Sequence, residues 1–152
     1  MSLRKRKPVY CRHSLELEIP FFDVDAMHIV WHGHYVKYLE QARCAFLETL
    51  NYTYDHMRAD GHAWPIVHMN LKYIKPAVFR QRIRIELMLV EYESCLRLDY
   101  CISDSVSGAK LCTASTTQAV VRIDNGDMQY LTPPGWRDAL ARHPGFSAQG
   151  DA

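Results

Sequence analysis

Between Phe21 and Tyr35 the chain sets two carboxylates, Asp23 and Asp25, and three imidazoles, His28, His32 and His34, among aromatic and aliphatic residues. Two kinds of chemistry use such groups. Imidazole and carboxylate together can ligate zinc or iron, but the spacing fits no strong ligand motif such as His-Glu-x-x-His, so a metal site is the weaker reading. A carboxylate beside a helix start is the stronger one. Asp25 precedes His32 by seven residues, and a helix is predicted to begin near Gly33, so unpaired backbone N–H groups should lie beside the carboxylate. Those groups can polarise a carbonyl and stabilise an oxyanion while the carboxylate activates water or attacks the carbonyl itself. The same spacing also fits Asp23 or Asp25 as a cap of a turn or of the helix. Phe21, Phe22, Ile29, Val30 and Trp31 suggest a partly apolar cleft, where burial would move the pKa values of the polar groups.

The flanking pattern says what must position this loop. Ser14–Ile19 alternates polar and apolar residues as a strand with one wet face, and Pro20 closes it. Tyr35, Leu39, Ala42, Phe46 and Leu50 recur by threes and fours, which predicts a helix of about four turns over 35–50, stopped by Asn51. Residues 52–61 carry no clear period and read as a connection with a short helical turn. Strands are then predicted over 63–74, 80–92, 96–103 and 110–124, with tight turns at Glu93-Ser94, at 105–108 and at Asp124-Asn125-Gly126-Asp127. Thr132 and the prolines after it predict a short helix over 136–142, capped by Thr132, and a loose tail from Pro144. A strand, a long helix and a run of antiparallel strands make an α+β domain in which one sheet wraps one apolar helix. Such a sheet leaves an edge strand open, so at least a dimer is expected.

At 152 residues the chain fits one domain, 1–152, large enough to bury a core without staples. A net charge of +1 with 23% charged residues excludes a nucleic-acid neutraliser. Five cysteines, an odd number with no Cys-x-x-Cys pair, read as reduced structural thiols. No apolar run follows the basic tetrad Arg4-Lys5-Arg6-Lys7, and no window is apolar enough to span a bilayer. The tetrad reads as a solvated terminus, and the expected location is cytoplasmic.

Asp23, Asp25, Ala26, Val30 and His32, followed by Tyr35, Tyr38, Leu39, Glu40, Ala42 and Arg43, resemble the 4-hydroxybenzoyl-CoA thioesterase and YbgC-like branch of the hotdog-fold thioesterases. The resemblance is specific at this motif and looser through Leu71–Ala77 and the later strands, covering roughly residues 12 to 140. It implies a hotdog fold, an antiparallel sheet curled round one long helix, paired edge to edge as a homodimer or homotetramer with active sites at the subunit interface. It implies hydrolysis of an acyl-CoA or acyl-carrier-protein thioester without a cofactor or metal. Asp25 takes the catalytic carboxylate position, as general base or as nucleophile, and His32 the position whose backbone N–H meets the thioester carbonyl. Tyr35 and His28 are the expected substrate-pocket residues, with His68 on the strand expected to face the partner subunit's site, where a core or interface role is an equal reading. Glu40 is a secondary acid candidate whose simpler role is a pair with Arg43. This chain departs from the family at Met27 and His28, and at Phe79-Arg80-Gln81, where many members carry an acidic pair. Its Glu91-Tyr92-Glu93-Ser94 turn is acidic where CoA-hydrolysing relatives tend to be basic, so an acidic carrier protein, met by Arg80, Arg82, Arg84 or the basic N-terminus, remains a second acyl donor. A binding protein without turnover is the competing function.

Overall fold

The computed structural model describes residues 6–150. Arg4 and Lys5 of the basic tetrad and the last two residues of the tail lie outside the described residues.

Alternation builds β1 (Cys11–Glu18), whose exposed side chains are Arg12, Ser14, Glu16 and Glu18. Apolar residues at helical spacing build α1 (His34–Thr49), which buries Tyr35, Tyr38, Leu39, Ala42, Phe46 and Leu47. Asn51 stops it with a φ of 52°, a left-handed conformation that asparagine tolerates better than most residues. The connection holds a short helix, α2 (Tyr54–Ala59), and a two-residue strand, β2 (His62–Ala63).

Four long strands follow: β3 (Ile66–Tyr73), β4 (Arg82–Glu91), β5 (Leu96–Asp104) and β6 (Lys110–Gln118). With β1 they form one antiparallel sheet in the order β1-β4-β5-β6-β3. Ile83, Ile85, Leu87 and Leu89 of β4 and Leu96, Leu98, Tyr100 and Ile102 of β5 are all buried in the core that also contains the apolar face of α1. Each such aliphatic side chain stabilises the fold by roughly 1.5–3 kcal/mol. The predicted helix therefore sits in the curl of the predicted sheet.

Three expectations change. The stretch predicted as one strand over 110–124 is two, because Ala119 turns away to donate its N–H to the Pro65 carbonyl at 3.1 Å. The chain then enters β7 (Val120–Arg122), which forms a small second sheet between β2 and β8 (Met128–Gln129). Thr132 does not cap the last helix, α3 (Pro134–Arg142); Pro133 holds the N-cap position, and the Thr132 hydroxyl donates to the Tyr92 carbonyl at 2.8 Å. The tail is not loose as far as Gly150: the Phe146 ring packs edge-on against Tyr92 at 5.1 Å, and the Ser147 N–H donates to the Tyr10 carbonyl at 2.9 Å.

The two sheet edges differ in consequence. The tail runs against the start of β1, whose outward residues are polar. At the other edge, β3 leaves Ile66, Val67 and Tyr73 exposed beside the polar His68, Asn70 and Lys72, an open edge of the kind that pairs with another strand.

Candidate active site

The loop that carries the acidic and histidine residues is a small, well-bonded structure. Pro20 ends β1 and Phe21–Asp23 make one 3-10 turn. Val24 then bridges Val30 in antiparallel fashion, and Ile29 bridges Val78. Between them the Asp25 N–H donates to the Ile29 carbonyl at 2.9 Å, and the His28 N–H to the Asp25 carbonyl at 2.9 Å. His28 closes this miniature hairpin with a φ of 63°.

The two aspartates have opposite surroundings. Asp23 is 1% exposed; its Oδ2 accepts from the Tyr38 hydroxyl and its Oδ1 from Lys37 Nζ, both at 2.6 Å, with His34 Nε2 at 3.9 Å. Burial alone would raise its pKa, but the hydrogen bonds from Lys37 and Tyr38 and the nearby positive charge outweigh burial and hold the carboxyl below the usual aspartate range. Burial, followed by this carboxylate, pushes the Tyr38 phenol well above its ordinary value. Asp23 is thus a brace between the loop and the first turns of α1. Asp25 is half-buried and only one of its oxygens is engaged: Oδ1 accepts from the Met27 N–H at 2.8 Å, and Oδ2 finds no donor among the described residues.

Asp25 opens onto a cavity of about 260 Å³ that His32 and Tyr35 also line, with Tyr73 from the end of β3 and Ile74 and Lys75 just after it. Ile29, Val30 and Pro76 make the rest of the wall apolar. Tyr35 is buried at its base, its hydroxyl accepting the Ala77 N–H at 3.0 Å. The His32 ring lies 5.0 Å from Trp31 and 6.5 Å from Tyr73, and its carbonyl accepts the Tyr73 hydroxyl at 2.7 Å. Gly33 is the N-cap of α1. The N–H groups of Trp31 and His34 are satisfied by the carbonyls of Asp23 and Trp31, whereas those of His32 and Gly33 find no backbone acceptor among the described residues. Asp25, with its free carboxylate oxygen, and His32, with its free N–H one residue before the helix cap, therefore border one mostly apolar cavity. A larger depression of about 640 Å³ at Arg58, His62 and Arg122 is lined mainly by charged and polar residues and holds no helix start.

Of the residues expected in the pocket, Asp25, His32 and Tyr35 are brought together. His28 is not: its positive φ turns it to solvent at the tip of the loop, outside the cavity lining. His68, expected to face the partner subunit's site, does not line this chain's own cavity. It pairs with Thr117 two places from the Asn70–Ser115 pair, and strand alternation puts it with Asn70 on the sheet face away from α1, exposed in this chain. Glu40 bonds to Arg43, whose buried guanidinium also donates to the hydroxyls of Tyr54 at 2.8 Å and Tyr100 at 3.3 Å. Among the described residues no three of His, Cys, Asp and Glu are grouped as a metal site would require.

The sequence reading missed Tyr73 and its neighbours as cavity residues, and it missed Lys37 as the partner of Asp23. Lys37 carried a signal. A cation in the first turns of a helix opposes the helix dipole unless a carboxylate offsets it.

Comparison with known proteins adds to this geometry. A profile of the Thioesterase-like superfamily matches residues 19–143. YneP of Bacillus subtilis (strain 168), named as a candidate acyl-CoA thioesterase, is 29% identical over 77 residues, which cover 51% of this chain and 56% of that protein. The chain thus aligns with little more than half the length of YneP. Slr0204 of Synechocystis, a 1,4-dihydroxy-2-naphthoyl-CoA thioesterase, is similar in structure with a TM-score of 0.78 at 20% identity, covering 86% of this chain and 96% of that one. A 4-hydroxybenzoyl-CoA thioesterase variant solved with 4-hydroxybenzoyl-CoA gives a TM-score of 0.73 at 17% identity, covering 84% and 97%. At these identities the structural likeness is one of fold, and the shared fold is the hotdog.

Proposed function

The chain belongs to the thioesterase-like superfamily, and from that premise we propose that it hydrolyses acyl-CoA thioesters in the cavity at Asp25. One observation carries the reading: the Asp25 carboxylate keeps an unengaged oxygen while it shares a cavity wall with the start of α1. The thioester carbonyl accepts a hydrogen bond from the free N–H of His32. As general base, Asp25 takes a proton from water as the water oxygen bonds to the carbonyl carbon. The tetrahedral oxyanion is held at the helix start until the C–S bond breaks and the leaving thiolate recovers the proton. As nucleophile, Asp25 bonds to the carbonyl carbon directly, expels the thiolate and forms an anhydride that water then opens. Label left in the enzyme after a single turnover in ¹⁸O-water would establish the nucleophilic route, since only attack of water on the aspartyl carbon of an anhydride puts it there.

CoA is favoured over a carrier protein by what the arginines do. Arg82 pairs with Glu16 at 3.3 Å and Arg84 reaches Ser14 at 3.5 Å, so both are drawn to the sheet surface. The acidic β4–β5 turn is also less repulsive than its composition implies, because Glu91 Oε1 accepts the N–H groups of Tyr92, Glu93 and Ser94 at 2.9–3.2 Å. The open edge at β3, with Ile66, Val67 and Tyr73 exposed, supports pairing of two copies there, which would bring a second chain close to Tyr73 and the cavity.

The test is thiol release from short, long and aromatic acyl-CoA substrates and from acyl carrier protein. Asp25→Asn is expected to lower kcat by about 10²–10⁴-fold with the fold intact. Full activity in that variant, or saturable acyl-CoA binding with no thiol release by the unaltered protein, would remove the assignment.

A further inference from the structure

The segment that follows α3 is seated on the start of β1 through a group that titrates. Its turn is set by the His143 ring. Nδ1 accepts the Gly145 N–H at 3.0 Å, and the Cys11 sulfur lies 3.7 Å from the same nitrogen. A backbone N–H only donates, so Nδ1 carries a lone pair and no proton, and the Cys11 thiol is a second, weaker donor to it. Cys11 is 2% exposed and opens β1. One imidazole nitrogen therefore ties the turn at Gly145 to β1. From that turn the Phe146 N–H donates to the His143 carbonyl at 3.1 Å and the Ser147 N–H reaches the Tyr10 carbonyl at 2.9 Å. Among the described residues, nothing facing the ring favours its charged form. β1 presents Cys11 and His13, α3 ends at Arg142 beside it, and no carboxylate pairs with it. Burial raises the Cys11 pKa, so that side chain stays a neutral thiol; burial, and then the nearby His143, lowers that of His13.

We propose that His143 is a pH-sensitive latch: unprotonated, its Nδ1 holds residues 144–150 against the start of β1, and a proton taken from solvent at Nδ1 turns that acceptor into a donor facing two donors and releases the segment. No covalent bond changes. Imidazoles ordinarily titrate between about pH 5 and 8, so the segment is seated at the upper end of that window and free at the lower. Release uncovers Cys11, whose sulfur lies beneath Gly145, and the edge-on pair of Tyr10 and Tyr92. The helix itself stays docked, because Trp136 is buried and its Nε1–H donates to the Tyr92 carbonyl at 3.1 Å. None of the residues lining the Asp25 cavity takes part, so the latch stands whether or not the hydrolase reading does.

Amide hydrogen exchange tests this, with protection taken relative to the intrinsic rate at each pH so that the acid–base chemistry of exchange itself cancels. In the unaltered protein, protection at Gly145 and Ser147 is expected to fall about five- to tenfold from about pH 7.5 to about pH 5, the worth of one lost hydrogen bond. Ile85 and Leu87, in the middle of β4, should keep their protection at both, which separates release of the segment from unfolding. His143→Asn puts an amide oxygen where Nδ1 stood, an acceptor that takes up no proton in this range. Protection in that variant should be the same at both pH values and close to that of the unaltered protein at the higher one. His143→Ala, with no acceptor, should show low protection at Gly145 and Ser147 throughout. Protection that does not change with pH in the unaltered protein would overturn the proposal. So would a fall of equal size in His143→Asn, which would assign the titration to another group, His13 first among them.

Discussion

Asp23 and Asp25 are separated by one residue and have divergent physical fates. Asp23 is drawn inward by Lys37 and Tyr38 and holds the loop to the helix; Asp25 is held by its own turn and faces the cavity. Replacing Asp23 with Asn should therefore destabilise the fold, by roughly 2 kcal/mol for charge-assisted hydrogen bonds, measured by urea denaturation at neutral pH. The pH dependence has a definite sign. The folded-state pKa of Asp23 is depressed, so its contribution is full above the ordinary aspartate value. As pH falls below that value the unfolded chain takes up its proton first, and the contribution is lost by the time the folded carboxyl is protonated. The acid limb of stability against pH should accordingly be shallower in Asp23→Asn. An equal slope in both proteins would show that the carboxylate is not the brace described.

The helix start is an element whose shape depends on one missing side chain. Trp31 folds its ring over Gly33, where a Cβ would meet ring carbons at 2.3–2.8 Å. The φ of Gly33 is −71°, so the requirement is for space and not for an unusual backbone. Gly33→Ala is expected to destabilise the protein by roughly 1 kcal/mol, at the lower end for overpacking because the half-exposed ring can move, and to shift tryptophan fluorescence. Trp31→Ala with Gly33→Ala should restore most of that loss. Additive losses in the double variant would mean that ring and glycine are not coupled. The neighbouring hairpin explains why His28, expected in the pocket, lies outside this chain's cavity: its left-handed conformation accompanies the tight turn at Asp25, which a spacing argument does not contain.

For the molecule as a whole, the open question is what meets β3. The tail and the polar residues of β1 blunt one edge of the sheet, and the apolar residues of β3 leave the other available. Sedimentation at micromolar concentration is expected to give at least twice the mass of one chain, and Val67→Lys, which places a charge on that edge, should shift it toward one. A protein that sediments as a single chain before substitution would rule out pairing at β3. His68 belongs to the same edge, on the face away from α1, so any role for it lies with the outer surface of such a pair.

Much of this architecture was legible in the residues because periodicity is local. Alternation in β1 and β4, the threes and fours of α1, and the stops at Pro20 and Asn51 each follow from neighbours within a few positions, and together with the motif around Asp25 they suffice for a helix wrapped by an antiparallel sheet. Relations between distant positions were not legible. No spacing says that Ala119 breaks a strand because Pro65 needs its N–H, that Lys37 neutralises Asp23 and leaves Asp25 free, or that Tyr73 reaches back to His32. Sequence by itself determined the elements and the candidate carboxylate. Tertiary structure decided which aspartate is a brace and which faces the cavity, because the surroundings that set each group's charge and exposure come from strands and helices brought together only by folding.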